Sequence, residues 1–600
     1  MPVPFIYPPI PTGSDCFRLL RILPSQEDDA TISCELFAAS INSSAGNYMA
    51  GSYTWGLDST KLSIVLNGTK FHVRKNLFDF LRVLRSEQTS TIIWIDAICI
   101  DQSNPLERTQ QVGLMADIYD HASAVAIWMG PSSGDLDRSM DMICLLGSDE
   151  SIHVDPSQGR SVLVADGDEL GQVLKVTPFF NLPWWFRIWT VQEYALAKRR
   201  IFYCGNRMIE GDVINNYAKN VRFHERQCCS GIMIGYRVGN LKVTMWDSVA
   251  NLEMLKTYDD GERVPFLQTL GRFEFRAATD PRDKIYGLLG MLESPSQGFL
   301  DARYDRTPQE ACATLVQAWL LHHSSLDFLE HVGDYPAFSS QSFVPNWTEA
   351  RMHEHDRWNS DRRYRMAGVY DAAAGRLTDW KMDAQGGATC TGVVIDTITS
   401  VTHTEWMNFT ELFRSAQDLL GIKGRAHEVY TPTGQSMDDA FALTMTAGLQ
   451  FENQDPHSKH IMRRDVVDSH LLFGISFIDD GIVAVSVPAG SSEYQASINS
   501  VLSFFRSLVY GRRFVVTKKG YFGFAPESSG PGDTVAVLFG SRSPCVLRSQ
   551  AGGIAGTEGM GGEKPTYQVL GTAYIHGLMH GECFADDASD RFTPTSMHFI

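Results

Sequence analysis

Residues 91–130 read TIIWIDAICIDQSNPLERTQQVGLMADIYDHASAVAIWMG, and the order of patterns in this stretch decides the fold. Residues 91–95 form a short continuous apolar run rich in β-branched and aromatic side chains, which is how a strand buried on both faces reads. Asn104 then stands at an N-cap position and Pro105 at the first helical position. Glu107 is third, placed to reach back as a capping-box acid. The helix that follows carries Val112, Met115, Ile118 and Tyr119 on one stripe and ends near His121. Residues 124–129 form a second buried strand, closed by Gly130-Pro131. Strand, helix and strand within ~40 residues make a βαβ unit, which implies a parallel sheet and a right-handed crossover. This part of the chain reads as a doubly wound α/β domain.

Working outward, residues 48–55 (YMAGSYTW) read as a strand ending at Gly56. Residues 63–66 and 70–73 flank Asn67-Gly68, the strongest short hairpin signal, and Asn76 is placed to cap a helix whose Leu77, Phe80, Leu81 and Leu84 share a face. Before this, residues 1–44 read as a leader: proline-rich, then the alternating run 17–23, then acidic and serine-rich. No basic region precedes the apolar residues of its start, so it does not read as a signal peptide. Downstream, a short helix is expected at 140–146, followed by a loop. The cluster Pro183-Trp184-Trp185-Phe186 then introduces Arg187-Ile188-Trp189-Thr190-Val191-Gln192-Glu193. Helical periodicity dominates from about 212 to 330, as in Thr314, Leu315, Ala318, Trp319 and His322. The end of the chain is β-rich: residues 514–517 and 521–524 flank Lys518-Lys519-Gly520 as a hairpin, and 534–539 and 567–575 read as strands. Residues 550–563, glycine-rich with little to bury, read as a mobile loop. The expected organisation is a leader (1–44), an α/β domain (45–200), a helical segment (201–350) and an α+β region with a β-rich end (351–600).

Six hundred residues exceed one hydrophobic core. The net charge of −18 argues against a nucleic-acid partner, which needs a basic surface. The most apolar stretch, 471–490, is broken by Asp479-Asp480, so no membrane span is expected. Eleven cysteines without a C-x-x-C, and with Cys228-Cys229 as the only close pair, fit a reduced, cytoplasmic chain with no metal site. His322 and His323 face different directions on a helix, and Cys99 near Asp96, Asp101 and His121 does not by proximity in sequence make a thiol-protease site. No Walker A, G-x-S-x-G or H-E-x-x-H motif is present, and the glycine-rich stretch lacks the leading strand and following helix of a dinucleotide fingerprint.

Asp96 stands at the carboxyl end of a buried parallel strand, where open α/β sheets place their ligand crevice. It either ties down the loop through backbone amides, as Asp101 also can, or serves a site. Ser52, Tyr53 and Trp55 end a neighbouring strand, so the same crevice would hold a hydroxyl and an indole plate. Glu193, close to a helix start, reads either as a first-turn acid favoured by the helix dipole or as a site residue.

The run from Tyr48 to Gly56, through Asn76-Leu77, to Trp94-Ile95-Asp96-Ala97-Ile98-Cys99-Ile100-Asp101-Gln102 resembles the heterokaryon-incompatibility (HET) domain of filamentous fungi. So do Glu107-Arg108, Gln111-Val112, Met115, Ile118-Tyr119 and Trp128-Met129-Gly130, and Arg187 to Glu193 match a third block of that family. The family pattern usually has Asn in place of Asp101 and Leu in place of Gly51. Outside the domain, Asp280-Pro281-Arg282-Asp283-Lys284-Ile285-Tyr286-Gly287 through Gly290, Phe343 to Trp347, Gly511 to Arg513, Gly520-Tyr521, Tyr574 to Gly577 and Gly581-Glu582 extend the resemblance over nearly the whole chain.

The resemblance implies non-self recognition leading to programmed cell death, with an incompatibility partner protein and self-association through the HET domain. HET domains in turn are similar to TIR domains, so a TIR/flavodoxin-like parallel sheet is the implied fold of the N-terminal domain. Many TIR domains cleave NAD⁺ with a glutamate in a W-C-x-x-E signature, and Trp189-Thr190-Val191-Gln192-Glu193 has that spacing with Thr in place of Cys. By this likeness Glu193 is the catalytic candidate, with Ser52, Tyr53, Trp55, Asp96 and Trp189 lining the nucleotide site. NAD⁺ would be substrate, and no resident cofactor is implied. The alternative is a non-enzymatic recognition module acting by protein–protein association.

Overall fold

The computed structural model describes residues 5–153, 176–228, 266–291, 301–349, 368–451, 509–550, 565–585 and 592–600, with internal breaks of up to five residues, and the short segments 461–463, 475–478 and 481–484. The chain forms two compact units. Met1–Val264, Arg276–Gln297 and Asp301–Asp305 make the first; Pro265–Phe275, Gly298–Leu300 and Arg306–Ile600 make the second. The glycine-rich stretch 551–564 lies outside the described residues.

In the first unit the strands are β1 (Cys16–Ile22), β2 (Ser33–Ser40), β3 (Met49–Tyr53), β4 (Lys61–Leu66), β5 (Thr69–Arg74), β6 (Thr91–Trp94), β7 (Ala124–Gly130), β8 (Arg200–Cys204) and β9 (Arg207–Glu210). Among the described residues they form one sheet in the order β5-β4-β2-β1-β6-β3-β7-β8-β9. Its centre, β6-β3-β7-β8, is parallel throughout. Every residue of β7 is buried, as its unbroken apolar sequence requires of a strand covered on both faces. The flanks are antiparallel pairs, β1 on β2 and β6, β4 on β5, and β8 on β9, joined on one side by the parallel β2–β4 contact. The stretch before Tyr48 therefore does more than lead in: Phe17, Leu19, Leu20 and Ile22 are buried in the sheet.

The turn of the β4–β5 hairpin places Asn67 and Gly68 at positive φ (48° and 76°), as a two-residue Asn-Gly turn demands. Helix α1 (Lys75–Leu84) follows β5 directly and packs on β4, β5 and β7 through Leu77, Phe80, Leu81 and Leu84. Asn76 is not its cap. Strand β5 runs to Arg74, so the chain is already helical at Asn76, whose amide instead donates to the Thr54 carbonyl (2.6 Å) and accepts from the Trp128 indole (2.8 Å). A one-turn helix, α2 (Asp96–Cys99), follows β6. Helix α3 (Pro105–His121) is capped by Asn104, whose side chain accepts from the amides of Leu106 and Glu107, both at 3.2 Å. Glu107 does not close a capping box with Asn104. Its carboxylate takes the Asp101 amide (2.7 Å) and pairs with the buried Arg18 guanidinium (2.6 Å), tying α3 to β1. Helix α4 (Gly134–Ser148) is longer than the sequence pattern suggested, because Ser133 caps it nearly two turns upstream. Two further helices, α5 (Thr190–Ala195) and α6 (Gly211–Gln227), complete what the site needs; α6 packs along α4 and against β8 and β9.

The second unit is α+β. Helix α7 (Pro308–His323) opens with a capping box formed by Thr307 and Glu310 and buries Ala311, Cys312, Leu315, Val316, Ala318 and Trp319. Its main sheet contains β10 (Ala388–Val401), β11 (Arg512–Thr517), β12 (Phe522–Pro526), β13 (Thr534–Leu538), β14 (Cys545–Ser549), β15 (Thr566–Thr572), β16 (Tyr574–Ile575) and β17 (Thr595–Phe599). The pairings β10–β13–β14–β15–β17–β10 close into a ring. The long β10 reaches beyond the ring, and its far end pairs with β11, which continues to β12 and β16. Val393, Ile395, Val535, Val537, Val546 and Leu570 fill the interior. Among the described residues no disulfide forms, and no helix is long and apolar enough to cross a membrane.

Candidate functional site

Strand β3 lies between β6 and β7, so the chain passes to one side of β3 and then, through α3, to the other. In an open parallel sheet this reversal leaves a crevice beyond the carboxyl ends of the strands. Those ends here carry Ser52 and Tyr53 on β3, Asp96 just after β6, and Trp128 on β7 opposite Tyr53.

Alternation along β3 sends Ser52 and Tyr53 to opposite faces of the sheet. Ser52 is fully buried, and its hydroxyl donates to the Glu193 carboxylate while accepting from the Trp184 indole at 2.7 Å. Glu193 sits in the first turn of α5, is only 6 % exposed, and is pushed up to about 7. Burial is the main cause, reinforced by the nearby Asp96; the Arg187 charge and hydrogen bonds from Ser52 and Tyr119 act the other way. Asp96 is half-buried and also held above the ordinary carboxylate range, again by burial against the pull of Arg187. Its oxygens accept from the Ala97 amide (2.7 Å) and from the Trp55 indole (3.2 Å). The Trp55 ring, 38 % exposed, lies beneath the Arg74 guanidinium. Arg187 donates to the Tyr53 carbonyl at the end of β3, and its charge acts on both acids.

Of the residues singled out in the sequence, the structure thus brings Ser52, Tyr53, Trp55, Asp96 and Glu193 to one end of the sheet. Trp189 is not with them: its indole nitrogen donates to Asp283 at 3.0 Å. Asp101 is occupied by Ser103, accepting from its amide and hydroxyl, which is the loop-tying role. The Cys99 thiol is buried and pushed up to about 12 by desolvation, which leaves no thiolate for nucleophilic chemistry.

Other contributors lack a local sequence signal. Thr190 is a hydrogen-bond hub. Its hydroxyl donates to the Arg187 carbonyl (2.7 Å) and accepts from the fully buried Arg276 (2.7 Å). The segment around Asp283 reinforces the same helix. Asp283 holds Trp189, Lys284 donates to the Arg276 carbonyl, and a Cβ on Gly290 would come within 2.7 Å of Ala116 and 2.8 Å of Gln192. Tyr119 bonds the Gly51 carbonyl at 3.0 Å and lies near enough to Glu193 to stabilise its charge. A site of this kind offers a neutral-to-anionic carboxyl near pH 7, a hydroxyl, a second carboxylate and an aromatic plate, which suits charge stabilisation on a polar ring-bearing ligand.

Comparison with known proteins shows two domain matches and one relative along the whole chain. The heterokaryon incompatibility protein (HET) family matches residues 48–193. This segment is similar to a HET domain. The match runs from the residue before β3 to Glu193 and so includes Ser52, Tyr53, Trp55, Asp96 and Glu193. The Het-6 beta-barrel domain matches residues 494–592, within the second unit. Over 95 % of its length the chain is 25 % identical to heterokaryon incompatibility protein 6, OR allele, of Neurospora crassa, covering 94 % of that protein. No solved structure gives a significant match.

Proposed function

We propose that this HET-domain protein acts in heterokaryon incompatibility, recognising non-self through a partner protein and triggering cell death, and that its HET domain does so by TIR-like hydrolysis of NAD⁺. The incompatibility role rests on the matched family and on the Neurospora relative's name. The parallel core has the strand order second-first-third-fourth in chain sequence, that of flavodoxin-like sheets, which bind nucleotides at the reversal point. The observation that carries the catalytic part is Glu193, a carboxyl tuned to about 7, hydrogen-bonded to Ser52 at that point.

In this reading the bond between the nicotinamide nitrogen and the ribose breaks, its electron pair leaving with nicotinamide. The ribose passes through an oxocarbenium-like state that Glu193, as carboxylate, stabilises while Ser52 and Asp96 hold ribose hydroxyls and Trp55 stacks on a ring. Water completes the exchange and yields ADP-ribose, with its proton released to solvent. Ser52 and Glu193 are buried, and in this reading association of HET domains opens the site. The test is nicotinamide release from NAD⁺ by the purified full chain over a range of protein concentrations. Release is expected to rise with concentration, and Glu193→Gln is expected to reduce it by ~100-fold or more.

The second reading is a recognition module without catalysis. It is favoured by the same burial: a Ser–Glu–Trp cluster closed to solvent also serves to fix β3 to α5. Absence of nicotinamide release at every concentration, or release indifferent to Glu193→Gln, would establish this reading instead.

A further inference from the structure

Away from the crevice, three side chains with metal-binding chemistry converge where the end of α4 meets the end of α6. His153 lies shortly after α4; His224 and Cys228 are one helical turn apart at the end of α6. The Cys228 sulfur is 3.2 Å from His224 Nδ1 and 3.3 Å from His153 Nδ1, and all three ligand atoms fall within 4.8 Å of one another. The two imidazoles meet edge to face at 4.6 Å. His224 Nε2 lies 2.8 Å from the Glu150 carbonyl, an acceptor only, so that nitrogen carries the hydrogen and Nδ1 presents its lone pair to the sulfur. A ring nitrogen bonded to a backbone carbonyl while the other faces a shared point is how proteins orient a metal-ligating histidine.

We propose that His153, His224 and Cys228 form a binding site for one divalent metal ion of the zinc class, with a fourth position open to water or a further ligand. Two imidazole nitrogens and a thiolate are borderline-to-soft donors, which suit Zn²⁺ and exclude Mg²⁺ and Ca²⁺. With Zn–S of ~2.3 Å and Zn–N of ~2.0–2.1 Å, tetrahedral sites hold sulfur and nitrogen about 3.5 Å apart, within a few tenths of the separations here. Binding displaces the thiol proton to solvent and places the ion at the point the three ligand atoms surround. His224 is buried whereas His153 and Cys228 are half-buried, so the ion enters from solvent. The consequence is a staple between the ends of α4 and α6, independent of any chemistry at Glu193.

The experiment uses the full chain, stripped with a chelator and titrated with Co²⁺ alone. One equivalent is expected to bind with a thiolate-to-cobalt charge-transfer band in the near ultraviolet, displaced by Zn²⁺ and absent in Cys228→Ser. His153→Gln, which removes a half-buried ligand, is expected to weaken Co²⁺ binding by at least ~10-fold. It also serves if Cys228→Ser does not fold. A folded wild-type chain that binds Co²⁺ without the band, a band that persists in folded Cys228→Ser, or binding unchanged in His153→Gln would each overturn the proposal.

Discussion

Glu193 has two opposing surroundings, and their balance sets a measurable pH dependence. Burial disfavours its charge more than Arg187, Ser52 and Tyr119 favour it, so the folded chain holds the proton up to about pH 7 where an unperturbed glutamate releases it near 4.5. The folded state therefore binds more protons between those values. The stability contributed by the neutral carboxyl is fully present below 4.5 and lost as pH rises through 7. Glu193→Gln has no proton to lose. Chemical denaturation of both chains is expected to show the variant gaining on the wild type as pH rises, by about 3 kcal/mol once the carboxyl is fully ionised. A difference that stays flat across that interval would mean the carboxylate is better solvated than its burial indicates. Thr190 gives a second residue-scale expectation. Replacing it by valine keeps the shape and removes the hydroxyl that Arg276 donates to, and a buried guanidinium that loses a partner costs ~1–3 kcal/mol. Thermal or urea unfolding of Thr190→Val measures that loss. Thr190→Ser, which keeps the hydroxyl, should restore most of it.

At the scale of elements, the α/β core depends on parts of the chain far apart in sequence. Arg18 on β1 joins Glu107 in the first turn of α3 and also bonds the Cys99 carbonyl (3.1 Å), so one buried cation fastens β1, the short helix α2 and the crossover helix. Breaking a largely buried pair from one side leaves a charge uncompensated, at about 3–5 kcal/mol. Arg18→Met is expected to lose roughly that much in urea denaturation, and Arg18→Met with Glu107→Gln to recover a substantial part. Additive losses in the double variant would show that the two side chains act separately. The turn at Asp283 and the close approach at Gly290 act in the same way on α5, holding the helix that carries Glu193. The motif from Asp280 to Gly290, legible as a resemblance but not as a function, thus has a physical role as the brace of that helix.

Across the whole molecule, each unit closes through segments that lie outside its recognisable family match. The ring of the second unit needs β10 and β17, yet the Het-6 barrel match covers neither. Strand β17 pairs with β10 antiparallel and β15 parallel, and the Ile600 carbonyl accepts from the Ser342 amide (2.8 Å). A chain ending at residue 591 would leave the edges of β10 and β15 unpaired, and unpaired edges recruit other strands. Size-exclusion chromatography of that truncation is expected to show association or aggregation, with loss of the second unit's cooperative unfolding. A monodisperse product with an unchanged melting profile would mean that the ring does not depend on β17. In the first unit, likewise, β1 and β2 precede the matched HET segment and still form part of its sheet.

The sequence by itself determined the local pieces. The β6–α3–β7 unit, the Asn67-Gly68 hairpin, the Asn104 cap and the hairpin at Gly520 were legible because each rests on periodicity or turn chemistry confined to a few neighbours, and the HET resemblance because its blocks stand in order along the chain. It also reached Ser52 and Asp96, since strand ends in parallel sheets have a fixed place relative to the crevice, and Glu193 through the family resemblance. Only the tertiary structure decided what depends on distant partners. Asn76 braces Trp128 instead of capping α1, Glu107 answers Arg18 instead of Asn104, and Trp189 turns to Asp283 rather than to the crevice. It alone placed Trp184 on Ser52 and brought His153 to His224 and Cys228, although the spacing of the last two on one helix was there to be read. The physical reason is that hydrogen bonds and charge pairs are chosen by three-dimensional neighbours, whereas strand, helix and turn patterns are set by residues a few positions away.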